Sequence, residues 1–229
     1  MKRSTVNEII TESDAFIRSF GYVLPPFAYW SPEELKAHVT GDAPTIATSQ
    51  LGWDITDFGS GRFDDLGLFL FTVRNGSAAD LAKGRGMLYA EKIMIVRENQ
   101  HTPVHRHIVK AEDIINRGGG ALVLEMFSSL PDGSIDRHSD VVVATDARMR
   151  TLKAGDRLSL APGESVTLLP GNWHGFWAEG GDALIGEVST VNDDMTDNIF
   201  DAPVGRFASI EEDTQPTHLL VSDYETWLK

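Results

Sequence analysis

The chain contains no cysteine, and that absence removes several chemistries at once. Disulfides, thiolate metal ligands, Cys-based zinc fingers and a cysteine nucleophile are all excluded. Basic residues are in deficit: 20 Lys and Arg stand against 34 Asp and Glu, for a formal net charge of −14. A surface of that sign repels phosphate backbones, so nucleic acid is not an expected partner. No cluster of Lys and Arg suggests a pocket for a highly phosphorylated substrate, and a neutral small molecule is accommodated more easily. No stretch approaches the roughly 18 apolar residues of a membrane span. The basic start Met1-Lys2-Arg3 has no apolar segment behind it and does not read as a secretory signal. The expected compartment is therefore the reducing cytoplasm. Internal repeats, low-complexity tracts and linkers are missing as well.

What remains is a chain of 229 residues with 41% hydrophobic content, enough for one domain with a packed core. Apolar residues at Val6, Ile9, Ile10, Phe16, Ile17 and Phe20 approximate helical spacing over residues 5–20, with Thr5 and Glu8 placed for a capping box. A second helix is expected from Ser31, with Pro32 at its first position, Glu34 completing a box, Trp30 and Leu35 forming a staple, and Gly41 beyond its end. From Leu51 the pattern changes to short strands: 66–73, 90–96, 104–107, 121–127, 141–145, 165–169, 174–178 and 183–190. Gly and Pro punctuate them, as in Pro131-Asp132-Gly133, Ala161-Pro162-Gly163 and Glu179-Gly180-Gly181. The predicted fold is mainly β, an antiparallel barrel or jelly roll with N-terminal helices packed on it. One domain spans 1–229, with a helical extension at 1–50, the barrel at 51–195 and an irregular tail at 196–229 that carries a short helix near residues 223–228.

The chemistry concentrates in His105-Arg106-His107, then Lys110 and Glu112, and much later His174. Alternate residues of a strand share a face, so His105 and His107 can aim two imidazoles at one point. Glu112 adds a carboxylate from just beyond that strand, and His174 closes the set from a distant one. Three imidazoles and one carboxylate suit a divalent first-row metal with positions left open for water or substrate. His101 is a rival ligand, but Pro103 interrupts strand pairing between it and His105, so it reads as loop or as a residue standing behind the ligands. His38, His138 and His218 read as solvated surface histidines.

These residues resemble the cupin superfamily, whose first motif is His-x-His followed by Glu and then Gly. His105, His107, Glu112 and Gly119 fit that spacing. In the second motif, Pro170-Gly171-Asn172-Trp173-His174 lacks the residue that usually separates Pro from Gly. A closer resemblance is to the D-lyxose isomerase family. It is carried by Glu91-Lys92-Ile93-Met94-Ile95-Val96-Arg97-Glu98, by Lys110-x-Glu112-Asp113-Ile114-Ile115-Asn116-Arg117-Gly118-Gly119-Gly120, and by Gly186-Glu187-Val188-Ser189-x-Val191-Asn192-Asp193-Asp194. The resemblance implies a cupin jelly roll and a metal-dependent aldose–ketose isomerase. It implies D-lyxose and related sugars such as D-mannose as substrates, Mn²⁺ as the usual activator with Zn²⁺ or Co²⁺ as other possibilities, and a homodimer.

Such an isomerase moves a hydrogen between C1 and C2 of an open-chain sugar. The reaction needs a Lewis acid and a base within reach. The catalytic candidates are Lys110, Glu187 and Glu112. Lys110 would share a face with Glu112 and hydrogen-bond a sugar oxygen, its alternative being a surface lysine. Glu187, in a strand that otherwise reads as core, is the candidate proton shuttle, with a salt bridge at a rim as its alternative. Glu112 can serve as ligand and base together. Asp113 points away, and Asn116 and Arg117 read as fixing a turn. Trp173 and Trp177 either stack on sugar or pack the core, and Glu125 is left open. Two other functions share the metal set: a cupin Fe(II) dioxygenase, and a non-catalytic sugar-binding or storage cupin.

Overall fold

The computed structural model describes residues 1–228. In chain order its elements are α1 (Arg3–Ser19), α2 (Pro32–Thr40), α3 (Thr45–Thr48), β1 (Gly52–Thr56), β2 (Leu68–Asn75), α4 (Ala78–Leu81), β3 (Tyr89–Val96), β4 (His105–His107), β5 (Glu112–Ser129), β6 (Ile135–Asp136), β7 (Val141–Thr145), β8 (Arg148–Leu152), β9 (Arg157–Leu160), β10 (Ser165–Leu168), β11 (Trp173–Thr190), β12 (Asn198–Phe200) and α5 (Tyr224–Trp227). The strands pair antiparallel in the order β1-β2-β3-β11-β5-β10-β7-β8. Short β4 attaches to β11 and carries β12 on its other edge, while β6 and β9 attach to β5.

Strands β2 and β3 explain why Leu68-Phe69-Leu70-Phe71 and Ile93-Met94-Ile95-Val96 are unbroken apolar runs. Leu68, Leu70, Met94 and Val96 face the barrel interior with Ile114, Leu124, Val143, Phe176 and Ile185. The alternate residues Phe69, Phe71, Ile93 and Ile95 face outward and are covered by Val6, Ile9, Ile10 and Ile17 of α1. A strand buried on both faces loses its polar alternation. Each such side chain contributes about 1.5–3 kcal/mol relative to leaving it in water. The apolar face of α1 is thus buried against the barrel.

Local chemistry sets the helix ends unevenly. Ser31 accepts from Glu34 N, and the Glu34 carboxylate takes the Ser31 N–H, so α2 starts with the expected box, has Pro32 at its first position and stops at Gly41. The box expected at Thr5 and Glu8 does not form. α1 starts earlier, from Lys2 without a side-chain cap, because Arg3 N pairs with Glu211 O and draws the first turn toward the tail.

The largest departure is in β5 and β11. Segments expected as 121–127 and as the pair 174–178 and 183–190 are two 18-residue strands, paired along their length with register shifts between Glu179 and Ala183 and between Leu184 and Ile185. The glycines expected to make turns instead make a bulge within strands. Gly119 has φ +89°, and a Cβ there would run into the Asp182 carbonyl. Asn116, fully buried, fixes this bulge: its Nδ2 donates to Gly120 O and Leu160 O (both 2.9 Å), and its Oδ1 accepts from Gly118 N at 3.0 Å. Among the described residues, no helix is long and apolar enough to cross a membrane.

Candidate metal and catalytic centre

Strand β4 is only three residues long, yet it is pinned on both sides: His105 lies opposite His174 of β11, and His105 and His107 lie opposite Phe200 and Asn198 of β12. Its alternation puts both imidazoles toward the barrel interior. A turn at 169–172, closed by Asn172 N to Leu169 O and anchored by Gly171 N to His107 O (3.0 Å), delivers His174 to the same point. The missing residue between Pro170 and Gly171 therefore does not disturb the histidine. Ligand atoms of His105, His107 and His174 lie within 4.8 Å of one another, a group that can hold a metal ion.

Two of the rings declare their tautomers. His105 Nδ1 sits 3.0 Å from Pro103 O, and His174 Nδ1 sits 3.1 Å from Asn172 O. A carbonyl oxygen only accepts, so Nδ1 carries the hydrogen and Nε2 presents a lone pair to the centre. Glu112 joins them. Its Oε1 is 3.1 Å from His107 Nε2 and 3.3 Å from His174 Nε2. Oε1 and His107 Nε2 are nonetheless buried without a hydrogen-bond partner among the described residues. Buried polar atoms are almost always satisfied, and these converging lone pairs fit a cation among them. Burial, reinforced by the neighbouring rings, holds the His105 imidazole well below its ordinary pKa, and burial with nearby Lys110 lowers that of His107. Neutral imidazole is the form that binds metal.

Lys110 is buried, not a surface lysine. Its Nζ lies 2.7 Å from Glu112 Oε2 and 3.0 Å from Glu187 Oε1. Burial opposes charge on both partners, but the ion pair wins: the Glu112 carboxyl sits well below the usual range and the Lys110 ammonium above it. Glu187 is likewise buried on β11, inside the barrel rather than at a rim. Beyond Glu187 the charges alternate: Lys92 Nζ is 3.7 Å from Glu187 Oε1 and 3.3 Å from Asp194 Oδ1, and Arg206 Nη2 lies 3.0 Å from Asp194 and 2.6 Å from Asp54. Lys92 also donates to Asn192 Oδ1 at 2.8 Å. Burial opposes ionisation of Asp194 too, yet Lys92 and Arg206 hold its carboxyl well below the ordinary range.

One cavity is lined by the three histidines, Glu112, Lys110, Glu187, Lys92, Asp194 and Arg206, with apolar walls from residues such as Phe58, Met94 and Phe200. Sequence reasoning missed Lys92, Asp194 and Arg206. Lys92 left a signal, because it shares strand parity with inward-facing Met94 and Val96. Asp194 and Arg206 lie in irregular chain that has no periodicity to read. Other candidates fall outside the lining. Trp173 stacks under Arg106, Trp177 lies between His101 and Arg157, and His101 itself is exposed. Glu125 and Asp113 are also outside it. His138 is exposed as expected, whereas His38 stacks on Trp30 at 3.9 Å and His218 holds the Trp30 carbonyl, so both are half-buried.

A mainly antiparallel barrel with histidines and a carboxylate gathered inside it defines a cupin-type sugar isomerase once the relatives are considered. The D-lyxose isomerase family model matches residues 1–224. The D-lyxose/D-mannose isomerase of Serratia proteamaculans is 47% identical over 227 residues, covering 98% of each chain. That of Escherichia coli O157:H7 is 44% identical over 226 residues, again with 98% coverage of both. Among solved structures, an Acinetobacter sp. DL28 L-ribose isomerase mutant bound to L-ribose superposes with a TM-score of 0.60 at 14% identity, covering 91% of this chain and 98% of that one. Geodermatophilus obscurus L-ribose isomerase gives 0.58 at 16%, covering 92% and 98%. At such identity these two speak for the fold alone. This chain belongs to the D-lyxose isomerase family. It is an aldose–ketose isomerase of the lyxose/mannose type.

Proposed function

We propose that this protein interconverts D-lyxose with D-xylulose and D-mannose with D-fructose in the cytoplasm, using Mn²⁺ held by His105, His107, Glu112 and His174. The observation that carries the reading is Glu112, one oxygen of which faces two imidazole nitrogens while the other takes the Lys110 ammonium. A cation held by these residues would supply Lewis acidity toward the carbonyl and neighbouring hydroxyl oxygens of the open-chain sugar. A mixed imidazole and carboxylate set with an oxygen-rich substrate suits Mn²⁺. The names of the two bacterial relatives support the choice of sugars.

The chain's own residues supply the rest. Glu187 takes the proton from one carbon and returns it to its neighbour, while the hydroxyl proton passes from the oxygen of one carbon to that of the other. Lys110, buried between Glu112 and Glu187, donates to the sugar oxygen that gains negative charge. Glu112 is both ligand and a second carboxylate in reach. The remaining hydroxyls need partners as well. The Thr56 and Thr102 hydroxyls are consumed by backbone groups. Lys92, Asp194, Asn198 and Arg206 are the polar side chains left along the lining for that end of the sugar.

The test is turnover on a panel of pentoses and hexoses, after chelation and after adding back Mn²⁺, Zn²⁺ or Co²⁺. Ketose should form from D-lyxose and D-mannose, vanish on chelation and return most fully with Mn²⁺. Undiminished turnover in metal-stripped protein overturns the metal assignment, and inertness toward both sugars overturns the substrates. We further propose a homodimer, which rests on the family resemblance. A light-scattering mass near the 25.2 kDa of one chain at micromolar concentration would refute it.

A further inference from the structure

Between ligand residue His107 and the pair Lys110 and Glu112 the chain leaves β4 and runs as a loop over 108–111. Nothing in the loop's own sequence specifies its shape, and the side chains of Ile108 and Val109 are exposed at 50% and 61%. Ala111 pairs with Thr190, and the three N–H groups before it are all held by one residue. The Asp197 carboxylate accepts from Ile108 N (2.9 Å) and Val109 N (2.7 Å) through Oδ1 and from Lys110 N (2.9 Å) through Oδ2. Three successive N–H groups converging on one carboxylate form an anion cradle. Each bond is charge-assisted, and Asp197 is 8% exposed, so they are little screened by water.

Asp197 is itself well held. Its N–H donates to Asp193 O at 3.0 Å, closing a turn whose second residue, Asp194, reaches Lys92 and Arg206 in the cavity. The next residue, Asn198, is the cross-strand partner of His107. The β4–β12 ladder thus ends where the loop begins, and the Asp197 side chain takes over the pairing where backbone partners run out.

We propose that Asp197 is a positioning residue for the isomerase: by filling the 108–110 cradle it sets the path on which Lys110 reaches Glu112 and Glu187. The inference rests on the catalytic role proposed for Lys110. Loss of a hydrogen-bond partner behind an active group costs on the order of 10–100-fold.

Asp197→Ala should keep its fold and metal content and lose about 10–100-fold in kcat, with KM changed far less. Because the substitution opens a cradle of three N–H groups, formate should restore turnover saturably, while chloride at the same ionic strength should not. Asp197→Asn should be impaired and resist rescue, since its amide fills the cradle and turns an NH₂ toward one of the N–H groups. Should the Ala variant fail to fold, the near-isosteric Asn variant carries the kcat reading. Adding Asp197→Ala to Lys110→Met should cost no more than Lys110→Met alone, because the two act through one group. Turnover within twofold of the parent in both Asp197 variants overturns the proposal. So does a loss in Asp197→Ala that formate leaves untouched, or one that adds in full to that of Lys110→Met. Full activity of Lys110→Met would instead overturn the role of Lys110, whichever way the Asp197 variants behave.

Discussion

At the scale of single residues, the decisive groups are buried charges that would be costly anywhere but in a site. Glu187 lies among barrel residues on β11 and is neutralised by Lys110 at 3.0 Å. Removing a positioned acid–base group typically costs about 10²–10⁴-fold, so Glu187→Gln should keep metal and lose most turnover, the amide preserving shape but unable to take a proton. In deuterated water the parent enzyme should place solvent deuterium on the sugar at C1 or C2. Near-normal turnover in Glu187→Gln moves the base role to Glu112, and a complete lack of exchange favours a hydride shift. His174→Ala should lose both metal and activity while the barrel stays folded, because its Nε2 is one of the converging lone pairs. Full activity with stoichiometric metal in that variant sinks the ligand set.

At the scale of elements, the two long strands and their shared bulge decide where the site sits. β5 carries Glu112 at its first residue and β11 carries His174 and Glu187, so any slip between them separates Glu112 from the other two. The bulge at Asn116–Gly120 lets both strands bend without breaking their pairing. Asn116→Ala would leave Gly118 N, Gly120 O and Leu160 O without their buried partner. Unsatisfied buried groups cost about 1–3 kcal/mol each, and some relaxation is expected, so a loss of about 3 kcal/mol is the predicted outcome. Urea denaturation checks it: the midpoint should fall with the slope unchanged, whereas an unaltered midpoint means that Asn116 is not what holds the bulge. From sequence the strands around this feature are legible, but their continuity is not. Asn-Arg-Gly-Gly-Gly and Glu-Gly-Gly are turn signals in isolation, and only pairing between them turns both into one irregularity within strands.

At the scale of the whole molecule, the ends of the chain are tied together behind the barrel. Arg3, with no exposed surface, pairs with Asp223 at 2.8 Å and with Glu212 at 2.6 Å. Glu212 is half exposed, so its share is small, about 0.2–1 kcal/mol. Asp223 is buried, and removing its partner strands a charge, which typically costs about 3–5 kcal/mol. Arg3→Ala should therefore lower the melting temperature by about 6–20 °C for a chain of this size. The variant's turnover at 25 °C should be close to that of the parent, because Arg3 lies outside the cavity lining. A shift under about 2 °C would show that the clamp is energetically idle.

By itself the sequence determined the strands at 66–73 and 90–96, the capping of α2, the alternation of His105 and His107, and the donor types suited to a metal. Each of these is a local matter: strand parity, helix-end hydrogen bonding and side-chain chemistry act over a few residues. The tertiary structure decided what proximity alone can decide. Glu112 meets the imidazoles of β4 and β11, Lys110 is buried against two carboxylates, and Lys92, Asp194 and Arg206 join the same cavity from strand and irregular tail. It also handed the 108–110 loop to Asp197. Buried charges are tolerable only when opposite partners arrive from elsewhere in the chain, and the identity of those partners is fixed by the fold that brings them within reach.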